Sequence, residues 1–360
     1  MTETTPSAQL EVRLERHPMP MTAVIPAVAV SAPATTFEQH ELLELLGLAG
    51  DEFAEGVFAR CGVTQRHLEL TPELLRATLQ ERTARTERQL LELAAEAVGA
   101  LAADPAEIGV VVTGSYYSLG GPTLAHRLID RFGLSPDVDK YHLVGAGCAS
   151  AVPLFRLAAQ ALRDRPGQRA LVVAAESLTG LLTWVGPDAE KVKVVGSSLF
   201  GDGCGAALLA SGAEAAGPAI VASAVHQIPG TLDHVRLVAT ADDSQVQMAR
   251  ELPAIAANDL RPLVDAFLQR SGVKADAIDH WLVHPGGRGI LDGIQNGLGL
   301  DDDDLAPSRA VLAEYGNVGT SSALFVLEET VRTRAPRAGE RGLIVTIGPG
   351  VTVGLMLLRW

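Results

Sequence analysis

Cysteine is scarce: the 360 residues contain three, Cys61, Cys148 and Cys204, and no two are spaced to chelate a metal or seed a disulfide framework. That count excludes a zinc-stapled or disulfide-stapled fold and suits a reducing cytoplasm. Aromatic residues are only 4% of the chain, so the core must be built from Ala, Val and Leu. Basic residues are also short: 29 Lys and Arg against 43 Asp and Glu leave a net charge of -14. This argues against nucleic acid as the main partner, because phosphate binding needs a basic surface. Apolar runs such as Leu171–Ala175 and Ile344–Ile347 are strand-length, far below the ~20 residues of a membrane-spanning helix. Residues 1–20 carry Glu11, Arg13, Glu15, Arg16, Pro18 and Pro20. They do not resemble a secretory leader and are expected to form a mobile tail.

What is present is a long, apolar chain. At 47% hydrophobic and 20% charged, it has enough material for a large core in two fused halves. Laying residues 88–175 over 258–347 shows an internal repeat at an offset of about 170 residues. Glu107–Val112 falls on Ile278–Val283, the segment after Cys148 falls on the segment after Asn317, and Gly167–Val173 falls on Gly339–Val345. The pattern reads as one β/α unit written twice, with halves at 21–215 and 216–360 and the small residues Ser211–Gly217 at the border. Buried strands are expected at Thr22–Val30, Gly109–Thr113, Leu171–Ala175, 281–284, 343–347 and 352–358. Helices are expected at Glu38–Leu48, across Leu90–Leu101, at 149–163, at 259–271 and after Asn317. Alternation of this kind predicts α/β layers with a mostly parallel sheet in each half. The acid run Asp301–Asp304 reads as a solvated loop before a helix.

Three glycine-flanked segments carry the chemistry: Gly145-Ala146-Gly147-Cys148-Ala149-Ser150, Val283-His284-Pro285-Gly286-Gly287 and Tyr315-Gly316-Asn317-Val318-Gly319. Together they offer a sulfur nucleophile, an imidazole and a carboxamide, a usable set for thioester chemistry. Cys148 sits between a strand and a helix, where exposed amides and the macrodipole favour thiolate. The bland alternative is a buried cysteine acting as a small hydrophobe, and that reading is kept for Cys61 and Cys204. His284 ends an apolar strand, at the sheet edge where open α/β folds place ligands. It is expected to draw Cys148 toward thiolate and then donate to a thioester oxygen. Asn317 opens a helix, so its alternative is an ordinary N-cap. Gly348-Pro349-Gly350 is either a plain turn or a source of oxyanion-binding amides.

Gly147-Cys148-Ala149, Leu199-Phe200-Gly201-Asp202-Gly203, His284-Pro285-Gly286-Gly287, Tyr315-Gly316-Asn317 and Gly348-Pro349-Gly350 resemble type III polyketide synthases, the chalcone synthase-like branch of the thiolase superfamily, over roughly residues 22–360. The resemblance implies an α/β, thiolase-like αβαβα five-layered duplicated fold, a homodimer, and a Cys148–His284–Asn317 triad. Cys148 would take an acyl group from a CoA thioester. His284 and Asn317 would stabilise the enolate formed as malonyl-CoA loses CO2, with no metal or prosthetic group as cofactor. Phe200 matches the family's gate between CoA tunnel and cavity, and Thr183 falls near a cavity-lining position. Arg60 and Arg66 fall where the family has basic residues that contact CoA phosphates.

Departures from the family pattern are concentrated around the substrate. Val246 or a neighbour stands where plant members carry a second gating phenylalanine, and Tyr116 and Tyr117 replace small hydroxyl residues. Gly319 stands where Ser is frequent, Thr346-Ile347 replaces Gly-Phe before Gly348 and Gly350, and Gly354 replaces a glutamate. These changes lean away from the plant flavonoid reaction and toward a bacterial branch that includes the dihydroxyphenylacetyl-CoA synthase type, which builds from malonyl-CoA alone. The expected function is iterative decarboxylative Claisen condensation of malonyl-CoA on a Cys-bound starter, followed by cyclisation. The alternatives are a stand-alone ketosynthase fed by an acyl carrier protein and a non-catalytic partner subunit.

Overall fold

A computed structural model describes residues 19–118, 120–187, 189–211, 216–239 and 244–360. In chain order these form β1 (Met19–Ser31), β2 (Thr36–Glu38), α1 (Gln39–Leu45), α2 (Glu52–Arg60), β3 (Gln65–His67), α3 (Leu79–Ala100), β4 (Ile108–Ser115), α4 (Leu124–Phe132), β5 (Asp139–Val144), α5 (Ala151–Ala161), β6 (Arg169–Glu176), α6 (Lys191–Ser197) and β7 (Gly203–Ser211). There follow β8 (Ala219–Gln227), β9 (Val235–Ala239), β10 (Ser244–Met248), α7 (Leu252–Asn258), α8 (Leu260–Arg270), β11 (His280–Val283), α9 (Arg288–Leu298), α10 (Ala306–Tyr315), α11 (Ser322–Arg334), β12 (Arg341–Gly348) and β13 (Thr352–Arg359).

Strand side chains alternate between faces with period two, and here both faces are dry. Val110 and Val112 of β4, Ala170 and Val172 of β6, Ile344 of β12 and Met356 of β13 point inward, onto α5 and α11. Their neighbours Val111, Leu171 and Val173 pack outward on α3 and α4. Leu343, Val345, Leu355 and Leu357 pack outward on α7, α8 and α9. The result is five layers, αβαβα, with α5 and α11 as the shared middle. Aliphatic burial on both faces, worth about 1.5–3 kcal/mol per Val or Leu, explains why so few aromatics suffice.

The nine-stranded sheet runs β11-β12-β13-β8-β1-β7-β6-β4-β5. Only β4–β5, β4–β6 and β11–β12 are parallel; the other neighbours are antiparallel. The expectation of a mostly parallel sheet is therefore corrected to a mixed one. Continuous apolar strands report burial on both faces, and a five-layered fold imposes that on antiparallel strands as well. Apart from β5, strand order and direction are the same read from either end, as a repeated unit produces. In that pattern Cys148 precedes α5 and Asn317 precedes α11, the two central helices. The expected tail falls mainly on residues 1–18 and the border partly on 212–215, outside the described residues.

Asp301 and Asp304 each accept the other's backbone N–H at 2.9 Å ahead of α10, so the acid run closes a turn on itself and makes no side-chain cap on α10. No described helix is long and apolar enough to cross a membrane.

Candidate active site

Strand ends and helix starts converge on one cavity. Cys148 lies in a single 3-10 turn, Gly147–Ala149, between β5 and α5. His284 follows the last residue of β11, and its backbone N–H donates to Val345 at 2.8 Å. Asn317 lies in the loop between α10 and α11, paired in a parallel bridge with Phe200. These side chains line the cavity with Phe200, Tyr116, Val246, Gly319 and Gly348. Gly348 has a steric reason to be glycine: a Cβ there would lie 2.5 Å from the Ala149 nitrogen. The turn after β12 thus packs directly against the nucleophile turn.

The carboxamide orientation is determined by its neighbours. Asn317 Oδ1 accepts from the Gly319 N–H at 3.0 Å, from Ser322 Oγ at 3.4 Å and from Cys148 Sγ at 3.8 Å. Oδ1 therefore performs the capping role and Nδ2 is left to face the cavity. Capping and substrate contact, which compete when one atom must serve both, are here divided between two atoms of one side chain. His284 is 2% exposed and its buried Nδ1 has no protein partner. No third group orients the imidazole, in contrast to a protease-type triad. Asn317 lines the same cavity through a separate loop.

Burial works against the expected thiolate in the free enzyme. Burial pushes the Cys148 thiol up to about 12, with the nearby Glu176 carboxyl adding to the rise and the Asn317 bond opposing it. Burial also drives His284 down to about 3. Desolvation thus favours the neutral form of each group. Glu176 ends β6 behind the cavity wall, fully buried and pushed up to about 7 by that burial. It accepts from Tyr116 N at 2.8 Å, Thr320 N at 3.2 Å, Ser115 Oγ at 3.3 Å and Thr320 Oγ1. It therefore ties the end of β4 to the Asn317 loop.

Five expected substrate residues lie elsewhere. Arg66 is wholly buried, with Nη1 donating to the Phe200 carbonyl at 3.0 Å and Nη2 to Gln39 Oε1 at 3.1 Å, and is not open to solvent. Tyr117 is buried with its hydroxyl 3.3 Å from Thr83 Oγ1, because successive residues at the end of β4 point to opposite sides. Thr183 is buried outside the cavity lining. Gly350 turns away, its carbonyl accepting from Gln227 at 3.2 Å. Arg60 is exposed at the end of α2 and is not in the lining.

The lining that sequence reading missed is aliphatic: Leu178, Val235, Met248, Leu252 and Ile290. Val246 and Met248 show a readable signal, alternate positions of one strand. The open space is about 40 Å³, room for about three waters.

A thiol, an imidazole and a carboxamide donor meeting where two β/α units abut, in a five-layered fold, define a thiolase-type condensing enzyme. The chain matches the family described as FAE1/Type III polyketide synthase-like protein over residues 27–268. It also matches Chalcone and stilbene synthases, C-terminal domain, over 219–360. The chain belongs to the type III polyketide synthase family and is an acyltransferase of the condensing type. It is 27% identical to a 3,5-dihydroxyphenylacetyl-CoA synthase from Streptomyces toyocaensis, covering 95% of this chain and 91% of that one. It is 33% identical to bisdemethoxycurcumin synthase from Oryza sativa subsp. japonica, covering 83% and 80%. The crystal structure of 1,3,6,8-tetrahydroxynaphthalene synthase from Streptomyces coelicolor A3(2), a bacterial type III polyketide synthase, superposes with a TM-score of 0.85. That match has 25% identity and covers 94% of this chain and 99% of that one.

Proposed function

We infer that the enzyme builds a small polyketide from malonyl-CoA, priming itself with the same substrate. The observation that carries this reading is the convergence of Cys148, His284 and Asn317 on one narrow, apolar cavity. In acyl loading, Cys148 Sγ attacks the thioester carbonyl. Its proton passes to His284 Nε2 and then to the departing CoA sulfur. In extension, the C–C bond to the malonyl carboxylate breaks and CO2 leaves. The enolate oxygen is held by N–H donors of His284 and Asn317 Nδ2. The carbanion attacks the Cys148 thioester and expels the thiolate, which is reprotonated through His284.

Loss of CO2 supplies the driving force, so the reaction balances without a metal or prosthetic group. Arg60, exposed at the end of α2, is a basic residue able to meet a CoA phosphate. We read 21–215 and 216–360 as the two repeated units, a homodimer as the assembly and the cytoplasm as the compartment.

The test is mass spectrometry of the purified protein with malonyl-CoA alone, following free CoA, small products and mass added at Cys148. An aromatic product or its CoA ester supports self-priming. Decarboxylation without product refutes self-priming and calls for a separate starter. No turnover and no acylation refutes the CoA-dependent reading and favours a carrier-fed or silent subunit.

A further inference from the structure

Arg66 is a buried cation with an unusual set of partners. No carboxylate lies within ion-pair reach of it among the described residues. Burial lowers it to about 10, with Cys61 and Asp202 opposing the fall, so it stays charged at neutral pH. Its Nε is buried without a protein partner. A charge buried this way contributes little net stability, and its bonds lead to one place.

That place is the three-residue segment Ser198-Leu199-Phe200. Gln39 Nε2 donates to the Ser198 carbonyl at 2.9 Å, and Gln39 Oε1 accepts from Arg66. Arg66 Nη1 donates to the Phe200 carbonyl. Between these two, the Leu199 carbonyl accepts the backbone N–H of Asn317 at 2.8 Å, and Gly201 N–H donates back to the Asn317 carbonyl at 3.2 Å. The arginine stem also covers the residue before Asn317. Gly316 has φ +70, and a Cβ there would lie 3.1 Å from Arg66 Cγ and 2.5 Å from the Leu199 oxygen. Three successive carbonyls are thus clamped alternately by the Gln39–Arg66 pair and by the Asn317 backbone.

We propose that Arg66, acting with Gln39, is a positioning residue that holds the Phe200 wall and the Asn317 carboxamide in register with Cys148. The inference rests on the triad reading above. It assigns to Arg66 a role incompatible with phosphate contact, because the guanidinium faces backbone rather than solvent.

Arg66→Met keeps much of the stem over Gly316 and removes the donors; Gln39→Met removes the other half of the clamp. With malonyl-CoA, Arg66→Met is expected to lower kcat for decarboxylation by about 10–100-fold, since misplacement by about 1 Å costs on that order. KM should change by less than about threefold. Gln39→Met should act in the same direction and less strongly, Arg66→Lys should restore part of kcat, and the double variant should lose less than the product of the two. A second readout needs no substrate: alkylation of Cys148 by iodoacetamide, located by mass spectrometry, should accelerate several-fold in Arg66→Met as the Phe200 wall loosens. If Arg66→Met does not fold, Arg66→Lys and Gln39→Met carry the test. The proposal is overturned if a folded variant shows unchanged kcat and unchanged alkylation, or if KM rises and its salt dependence falls with kcat intact. A wild-type protein that does not turn malonyl-CoA over would refute the proposed function, while the alkylation comparison would still decide the role of Arg66.

Discussion

Replacing Asn317 tests two roles that the structure assigns to different atoms. Oδ1 satisfies the Gly319 N–H at 3.0 Å and Ser322 Oγ at 3.4 Å, while Nδ2 faces the cavity. Asn317→Ala removes both functions. Leaving the buried Gly319 N–H unpaired should cost about 1–3 kcal/mol of stability. Loss of one oxyanion donor should lower kcat by about 100–1000-fold, roughly 2.7–4 kcal/mol of transition-state stabilisation. Asn317→Asp separates the two: its carboxylate still caps, because Asp is as good an N-cap as Asn, but the donor has become an acceptor where the enolate forms. Its thermal midpoint should stay nearer wild type than that of Asn317→Ala, and its decarboxylation should be slower still. The assay is CO2 and free CoA released from malonyl-CoA, with unfolding followed by circular dichroism. An Asn317→Asp variant retaining more than about a tenth of wild-type kcat would refute the donor assignment and leave Asn317 as a cap.

Cys148→Ala should abolish condensation, because no acyl group can be held, while slow decarboxylation of malonyl-CoA survives on His284 and Asn317; a complete product from this variant sinks the nucleophile assignment. Because burial holds the free-enzyme thiol near about 12, iodoacetamide alkylation of Cys148 should rise about tenfold per pH unit from pH 6 to 9. A plateau near pH 7 would reveal a thiolate–imidazolium pair instead. Glu176 is raised to about 7 in the folded state, so its contribution to stability is full below the ordinary carboxyl range near pH 4 and is lost as pH rises through 7. The loss is on the order of 3 kcal/mol. Glu176→Gln should therefore remove that fall between about pH 4 and 7, and equal falls in both proteins would contradict the assignment.

Much of the scaffold was legible because its rules are local. The apolar, β-branched runs Gly109–Thr113 and 343–347 fall within β4 and β12, and the turn expected at Gly348 follows β12 and packs on the Cys148 turn. Strand direction was not legible, since Leu343 and Leu355 look alike whether their strands run together or oppose. Arg66 was misread for a related reason. Three residues of β3 place it between the sheet and α1, and only the tertiary fold reveals that its partner is the Phe200 carbonyl. Tyr116 and Tyr117 were read as a pair, yet one lines the cavity and the other is buried against Thr83. Glu176 carried an unused signal, an acid ending the apolar run Leu171–Ala175. A carboxylate in that position must find donors or lose its charge.

The same dryness that silences the thiol and imidazole bears on how decarboxylation is promoted. Among the described residues no Lys, Arg, Asp or Glu lines the cavity, and the Glu176 carboxyl stands behind the wall that Tyr116 and Gly319 form. On the proposed reaction, a malonyl carboxylate entering this space leaves water and meets no counter-cation. Its charge is localised on two oxygens that nothing in the lining is suited to neutralise. When CO2 departs, that charge moves to an enolate whose oxygen meets two neutral N–H donors, His284 and Asn317 Nδ2. The cavity therefore disfavours the ground state and favours the state that follows, the differential binding that accelerates a step. Placing a cation in the wall should blunt this difference. Val246→Lys, on the strand facing Phe200, should bind malonyl-CoA at least as tightly yet decarboxylate it more slowly. A variant that lowers KM and also raises kcat would show that the carboxylate needs neutralising, and the apolar wall would then serve only to shape the product.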